Sequence, residues 1–189
     1  MQTIKGKRLE LLHNTHPENL TELLLSLRDV ERGFLLLEII HDPLLLPDIQ
    51  KAIERIAQVR SLKQRVMIFG DYDVDGISST AALFLFLRDE LGLDVSYRLP
   101  HRVHDGYGIK SYHMDEIAKT GTKLVVTVDC GTKDAVPIEH ARALGMDVIV
   151  TDHHSCPEIL PQCVAVVNPQ RSDSLYPFRG LSGSGVVWK

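Results

Sequence analysis

From residue 65 onward the chain is written in short apolar, β-branched runs: RVMIFG at 65–70, DVSYRL at 94–99, KLVVTV at 123–128, DVIVT at 147–151 and VAVVN at 164–168. A run that is apolar at successive positions has no polar face to offer water, so a strand made from it must be covered on both sides. Helical patterns over 77–91, 111–119 and 132–144 separate the runs and supply that cover. The alternation predicts an α/β fold: a parallel sheet of β-α-β units flanked by helices. Ahead of it, residues 18–40 and 47–60 carry apolar positions near helical spacing, with Pro47 suited to a first helical turn. We therefore expect a helical N-terminal segment over 1–62, in which leucine runs such as ELLLSL fill a core, and an α/β domain over 63–189. The stretch RSDSLYPFRGLSGSG reads as loop, and the final VVWK as a helix that has begun without a stop signal, so the domain is expected to be truncated at its C-terminal end.

Composition removes several classes of function. No apolar run approaches the roughly 18 residues of a membrane span, and the opening MQTIKGKRLELLHN lacks the apolar stretch of a secretion signal, so we expect a cytoplasmic location and no membrane partner. Cys130, Cys156 and Cys163 form no C-x-x-C pair, which points away from a disulfide framework and from a zinc–thiolate site. With 25 acidic against 21 basic side chains the net charge is -4, so a nucleic-acid partner has to be argued from the site itself.

Three of the predicted strands run directly into candidate metal ligands: Asp71, Asp73 and Asp75 after the first, Asp129 after the third, and Asp152, His153 and His154 after the fourth. In open parallel sheets the functional crevice lies beyond the carboxyl ends of the strands, so these groups can converge although they are distant in sequence. Crowded like charges repel unless something positive sits among them. Carboxylate oxygens with imidazole nitrogens and no thiolate suit Mn²⁺, with Mg²⁺ the harder option. So many carboxylates imply two ions, and Asp129, alone on its strand end, is the candidate shared ligand. Two such ions can acidify water and clamp a phosphoryl group. Other readings exist for each part. An isolated strand-end Asp is ordinarily a helix cap, paired histidines can be a polar turn, and DYDVDG resembles a calcium loop but has Ala82 where that loop needs Glu.

GDYDVDG, VDCGT and TDHH, in that order and each closing a predicted strand, resemble the first three motifs of the DHH phosphoesterase superfamily. The resemblance is closer to its RecJ-type single-strand DNA exonucleases, through DPLLLPDIQKAIERI, LPHRVHDGYGI, NPQR and LSGSGVVWK, and it covers about residue 42 to the end. It implies a two-lobed enzyme with two divalent ions, usually Mn²⁺, hydrolysing single-stranded DNA 5′ to 3′ in repair and recombination. By motif position Asp73 would bind one ion, Asp75 and His153 the other, and Asp129 would bridge. His154 would face the scissile phosphate, and Asp71 and Asp152 would orient or complete the ligand shell. The family draws a further metal-binding aspartate from a motif downstream of the double histidine. In 155–189 the candidate for that role is Asp173. A phosphodiesterase for short oligonucleotides or cyclic dinucleotides would share every ligand, and a catalytically silent scaffold could keep the fold.

Phosphate needs donors as well as metals. The helix start GISST would aim N–H groups and the hydroxyls of Ser78, Ser79 and Thr80 at the crevice, unless those hydroxyls merely cap. RLPHRVHDGYGI leaves a strand end on the same side. There Arg98, His101, Arg102 and His104 could meet a phosphate backbone, and Tyr107 could stack on a base of single-stranded DNA. The glycines of LSGSG admit close backbone approach to a phosphate, or a simple turn before a helix.

Overall fold

All five apolar runs form strands, β1 (Arg65–Phe69), β2 (Val95–Arg98), β3 (Thr122–Val128), β4 (Asp147–Thr151) and β5 (Ala165–Val167), joined in one parallel sheet. The computed structural model describes residues 40–189, so the helical reading of 18–40 lies almost wholly outside the described residues. Successive side chains of the inner strands enter different cores. Val66 and Ile68 join Leu124, Val126 and Val128 on one face, while Met67 and Phe69 join Val125, Val148 and Val150 on the other. That is why the central residues of β1, β3, β4 and β5 are apolar at successive positions instead of alternating with polar residues, while β2, VSYR, is only partly covered at the sheet's edge. Each such side chain contributes roughly 1.5–3 kcal/mol by leaving water.

The first face is covered by α1 (Ile49–Leu62), α2 (Val74–Leu85) and the short α5 (Gly183–Trp188), through Ala52, Val59, Leu83, Phe84 and Val186. The second is covered by α3 (Ser111–Ala118) and α4 (Ala135–Ala143), through Met114, Ile117, Ile138 and Ala141. Because α1 packs on β5 and shares the core of the sheet, a division between residues 62 and 63 has no counterpart in the packing. Pro47 stands just ahead of α1, whose cap is Asp48, while Pro43 opens a short 3₁₀ turn at Pro43–Leu45. The strand order is β2-β1-β3-β4-β5, so the direction of winding reverses between β1 and β3. A crevice therefore opens beyond the carboxyl ends of those two strands, where the connections leave to opposite sides.

Candidate metal centre

The register of the sheet brings the acidic motifs to one level. Phe69 of β1 lies beside Thr127 of β3, and Val128 of β3 beside Thr151 of β4. The ladder then runs one residue past each strand: Asp129 N–H donates to the Thr151 carbonyl at 3.0 Å, and Asp152 N–H to that of Val167 at 3.1 Å. Each carboxylate thus stands where its strand ends. Asp129 adopts φ 61°, a left-handed conformation that costs an aspartate about 1 kcal/mol or more and is common where a site fixes its ligands. The Thr127 hydroxyl closes the turn behind it on the Cys130 carbonyl at 2.8 Å.

Two sets of ligand atoms converge, and they share one residue. Asp71, Asp73 and Asp129 form the first set and Asp129, His153 and His154 the second, with the atoms of each set within 4.8 Å of one another. Asp71 Oδ1 and Asp129 Oδ1 are buried and, among the described residues, have no hydrogen-bond partner. His153 Nε2 stands 3.0 Å from Asp129 Oδ1, but not in line for a hydrogen bond. Burial, reinforced by the charges of Asp75 and Asp73, pushes the Asp129 carboxyl up to about 7. Burial also raises Asp71; the Tyr72 N–H opposes it and the charge of Asp73 adds to it. Buried carboxylate oxygens without donors, beside imidazoles and without thiolate, fit hard or borderline divalent cations.

The surrounding shell is built from the same strand ends. Asp152 Oδ1 accepts the backbone N–H groups of His153 (2.7 Å) and His154 (3.1 Å) and faces His154 Nδ1 at 2.7 Å, while Oδ2 accepts Thr132 N–H at 3.0 Å. Burial works against its charge, but these bonds, led by those to Thr132 and His154, hold its pKa below the ordinary value. With the His154 proton on Nδ1, Nε2 keeps its lone pair. Asn168, at the end of β5, donates to the His154 carbonyl at 2.9 Å and to the Thr132 hydroxyl at 3.0 Å. Thr132 and Asn168 stand inside the motifs VDCGT and NPQR, but neither was given a role from the sequence, although Asn168 does close the fifth apolar run.

Asp75 stands apart from both sets. It accepts Gly183 N–H at 2.7 Å, Ser184 N–H at 2.8 Å and the Ser184 hydroxyl at 2.6 Å, with His153 Nε2 3.6 Å away. Burial raises its pKa, yet the Ser184 and Gly183 bonds outweigh this and hold it low. Oδ1 takes both Ser184 bonds, but Oδ2 accepts only the Gly183 N–H and keeps a lone pair on the side of His153, so a metal role there stays compatible with this geometry. The glycines of LSGSG serve this approach: a Cβ on Gly183 would lie 2.7 Å from the Asp129 side chain.

Among the expected substrate contacts, Tyr107 Oη lies 3.4 Å from His154 Nδ1, Arg102 stacks 5.4 Å over the Tyr72 ring between the first two aspartates, and Ser78 is exposed on α2. Ser79 must be corrected: it is fully buried, and its hydroxyl donates to the Asp75 carbonyl at 2.6 Å, one helical turn back. Arg98 is drawn away as well, because its guanidinium is held by Glu116 of α3. His104 stacks on His101 at 4.4 Å. Asp173 is gripped by Arg171 through two hydrogen bonds and lies outside both ligand sets.

Fold and strand-end residues together define an α/β domain with a candidate centre for divalent metals. A model of the DHH family, N-terminal domain, matches residues 65–189, and the chain belongs to that family. Its curated relatives include the single-stranded-DNA-specific exonucleases RecJ of Bacillus subtilis strain 168, 37% identical over 149 residues, and of Escherichia coli K12, 38% identical over 143. Those alignments take in 79% and 76% of this chain but only 19% and 25% of the relatives, so the chain spans a quarter of their length or less. A crystal structure of exonuclease RecJ bound to manganese superposes with a TM-score of 0.71 at 31% identity, over 79% of this chain and 37% of that one. RecJ of Thermus thermophilus in complex with Mn²⁺ gives 0.61 at 28%, over 75% of this chain and 20% of that one. Among the described residues no helix is long and apolar enough to cross a membrane.

Proposed function

We propose that this chain carries the metal-holding part of a single-stranded-DNA exonuclease that works 5′ to 3′ with two divalent ions, Mn²⁺ or Mg²⁺, in cytoplasmic DNA repair and recombination. One observation carries the reading: two convergent ligand sets share Asp129, whose inward oxygen has no donor of its own. Asp71 and Asp73 would hold one ion, His153 and His154 the other with Asp75 alongside, and Asp129 would touch both. When bound, such ions supply positive charge for phosphoryl oxygens and acidify water.

The chain's own residues prepare the remainder. The Asp129 carboxyl, pushed up to about 7, releases its proton to water when a cation takes its place, at little cost near neutrality. Asp152 fixes the His154 ring through Nδ1, so that Nε2 keeps its lone pair. Arg102 offers a guanidinium to a phosphate backbone, Tyr107 a ring face to a base, and Ser78 an exposed hydroxyl. The three thiols are free, as suits a reducing compartment.

The test is degradation of 5′- and 3′-labelled single strands, duplexes and dinucleotides with Mn²⁺, Mg²⁺ or chelator, beside calorimetric titration with Mn²⁺. Mononucleotides released from the 5′ end of single strands and uptake of two ions are expected. Preference for dinucleotides would replace the exonuclease by a small-substrate phosphodiesterase, and metal uptake unchanged by Asp129→Ala would remove the shared ligand.

A further inference from the structure

The segment from Pro100 to Lys110, between β2 and α3, touches the metal centre at two points, Arg102 over Tyr72 and Tyr107 against His154. Apolar burial does not hold its outer part: Val103 is 80% exposed and Tyr107 46%. The anchors are polar, and they meet at Asp105. Asp105 Oδ1 accepts the Tyr112 hydroxyl of α3 at 2.6 Å, Oδ2 accepts His101 N–H at 2.6 Å, and its own N–H donates to the His101 carbonyl at 2.9 Å. The His101 ring in turn accepts the N–H groups of Val103 and His104 at 3.3 Å each. A third donor waits behind. His113 of α3 is fully buried and its Nδ1 accepts Lys110 N–H at 3.2 Å, so the neutral ring carries its proton on Nε2. That N–H has no hydrogen bond among the described residues and lies 3.7 Å from Asp105 Oδ2.

We infer that Asp105 is a positioning residue: it clamps the Pro100–Lys110 segment onto α3, so that Arg102 and Tyr107 are presented across the metal centre to the incoming strand. The inference rests on the exonuclease reading for what is presented, while the clamp itself rests on the hydrogen bonds. The Tyr112 hydroxyl first, and then the His101 N–H, hold the Asp105 carboxyl down to about 2, so the acceptor stays charged under ordinary conditions. An asparagine there would turn an amide NH₂ towards one of the donors that the carboxylate now receives. Segments held by a few exposed hydrogen bonds are the first to open locally, and an open segment presents nothing.

The variants are Asp105→Asn and Tyr112→Phe, assayed with a 5′-phosphorylated oligothymidylate and by hydrogen exchange without substrate. Losing hydrogen bonds to a charged acceptor should raise KM about tenfold in Asp105→Asn, with kcat within about twofold, and raise it less in Tyr112→Phe. The double variant should be no worse than Asp105→Asn, because both break one clamp. Amide exchange should quicken at 101–107 and stay unchanged in the strands. An effect of general destabilisation would lower kcat with the active fraction and spread exchange through the sheet, which would overturn the inference, as would unchanged KM and exchange. A wild-type protein inert towards oligonucleotides would refute the exonuclease reading, whereas faster exchange confined to 101–107 in Asp105→Asn would still support the clamp.

Discussion

Asp48 and Asp129 are both carboxylates that folding has drawn towards the interior, and they differ in what faces them. Asp48 is met by Lys51 at 2.6 Å, by Arg171, and by the N–H of Val166 at 3.3 Å, which ties the edge strand β5 to the start of α1. Burial raises its pKa, but Lys51 and Arg171 outweigh that and hold it below the ordinary value. Asp129 is met by other acids and by two imidazoles, and its carboxyl is driven up to about 7. The first cluster supplies its counter-charges from the chain, so it needs nothing from solution. The second, although it is the more deeply buried of the two, leaves them to be brought in, which is what separates a binding site from a structural ion pair.

The contrast is broken most forcefully at Asp129. Asp129→Asn should lower nuclease activity about a thousandfold. In chelator the same variant should be more thermostable than wild type, because it removes a carboxylate that the fold holds at a loss. If it were less stable and still active, Asp129 would belong with Asp48.

The pH dependence of stability without metal sharpens the same point. The native Asp129 pKa of about 7 exceeds its ordinary value of 3.8, so between those values the native state binds a proton that the unfolded state has released. Stability then falls as pH rises from about 4 to about 7, by up to about 4 kcal/mol, and Asp129→Asn should flatten the slope. Asp48 has the opposite sign. Its native pKa lies below 3.8, so its contribution is present above that value and is lost as pH falls through the native pKa. Denaturant melts in chelator at pH 4, 5.5 and 7.5 read the Asp129 slope, and further melts at about pH 3 and about pH 2 read that of Asp48.

Asp48→Asn should cost about 2 kcal/mol, by leaving Arg171 and the Val166 N–H short of an acceptor. In the remaining folded protein KM and kcat should be those of wild type. A change in either would mean that the edge of the sheet communicates with the centre.

The sheet was legible because covering a strand on both faces forces buried, largely apolar residues at successive positions, as at 66–69 in β1, 124–128 in β3 and 148–150 in β4. The convergence of the strand-end acids was legible for the same reason: once the strands are parallel, their carboxyl ends share one edge. What could not be seen were pairings that span the chain or reverse a local expectation. The hold of Gly183 and Ser184 on Asp75 crosses 108 and 109 residues. Asp105 sits in a stretch whose composition reads as solvated loop, and nothing in its neighbours announces that both oxygens are engaged. Arg98 leaves β2 at the expected place, but Glu116 on the following helix captures it.

Ser78 and Ser79 compress the comparison into adjacent residues. Both follow the first acidic motif and both looked able to face phosphate, but a helix turns about 100° per residue. That rotation leaves Ser78 outside and puts Ser79 where its hydroxyl bonds the Asp75 carbonyl and meets the Ser184 hydroxyl at 3.3 Å. Ser79→Ala should therefore cost about 1 kcal/mol of stability, with KM for a single strand unchanged. Ser78→Ala should leave stability within about 0.5 kcal/mol and raise KM modestly, if its hydroxyl meets the substrate. Paired melting curves and KM values decide it: a raised KM in Ser79→Ala at unaltered stability would return that hydroxyl to the crevice, and with it the local course of α2.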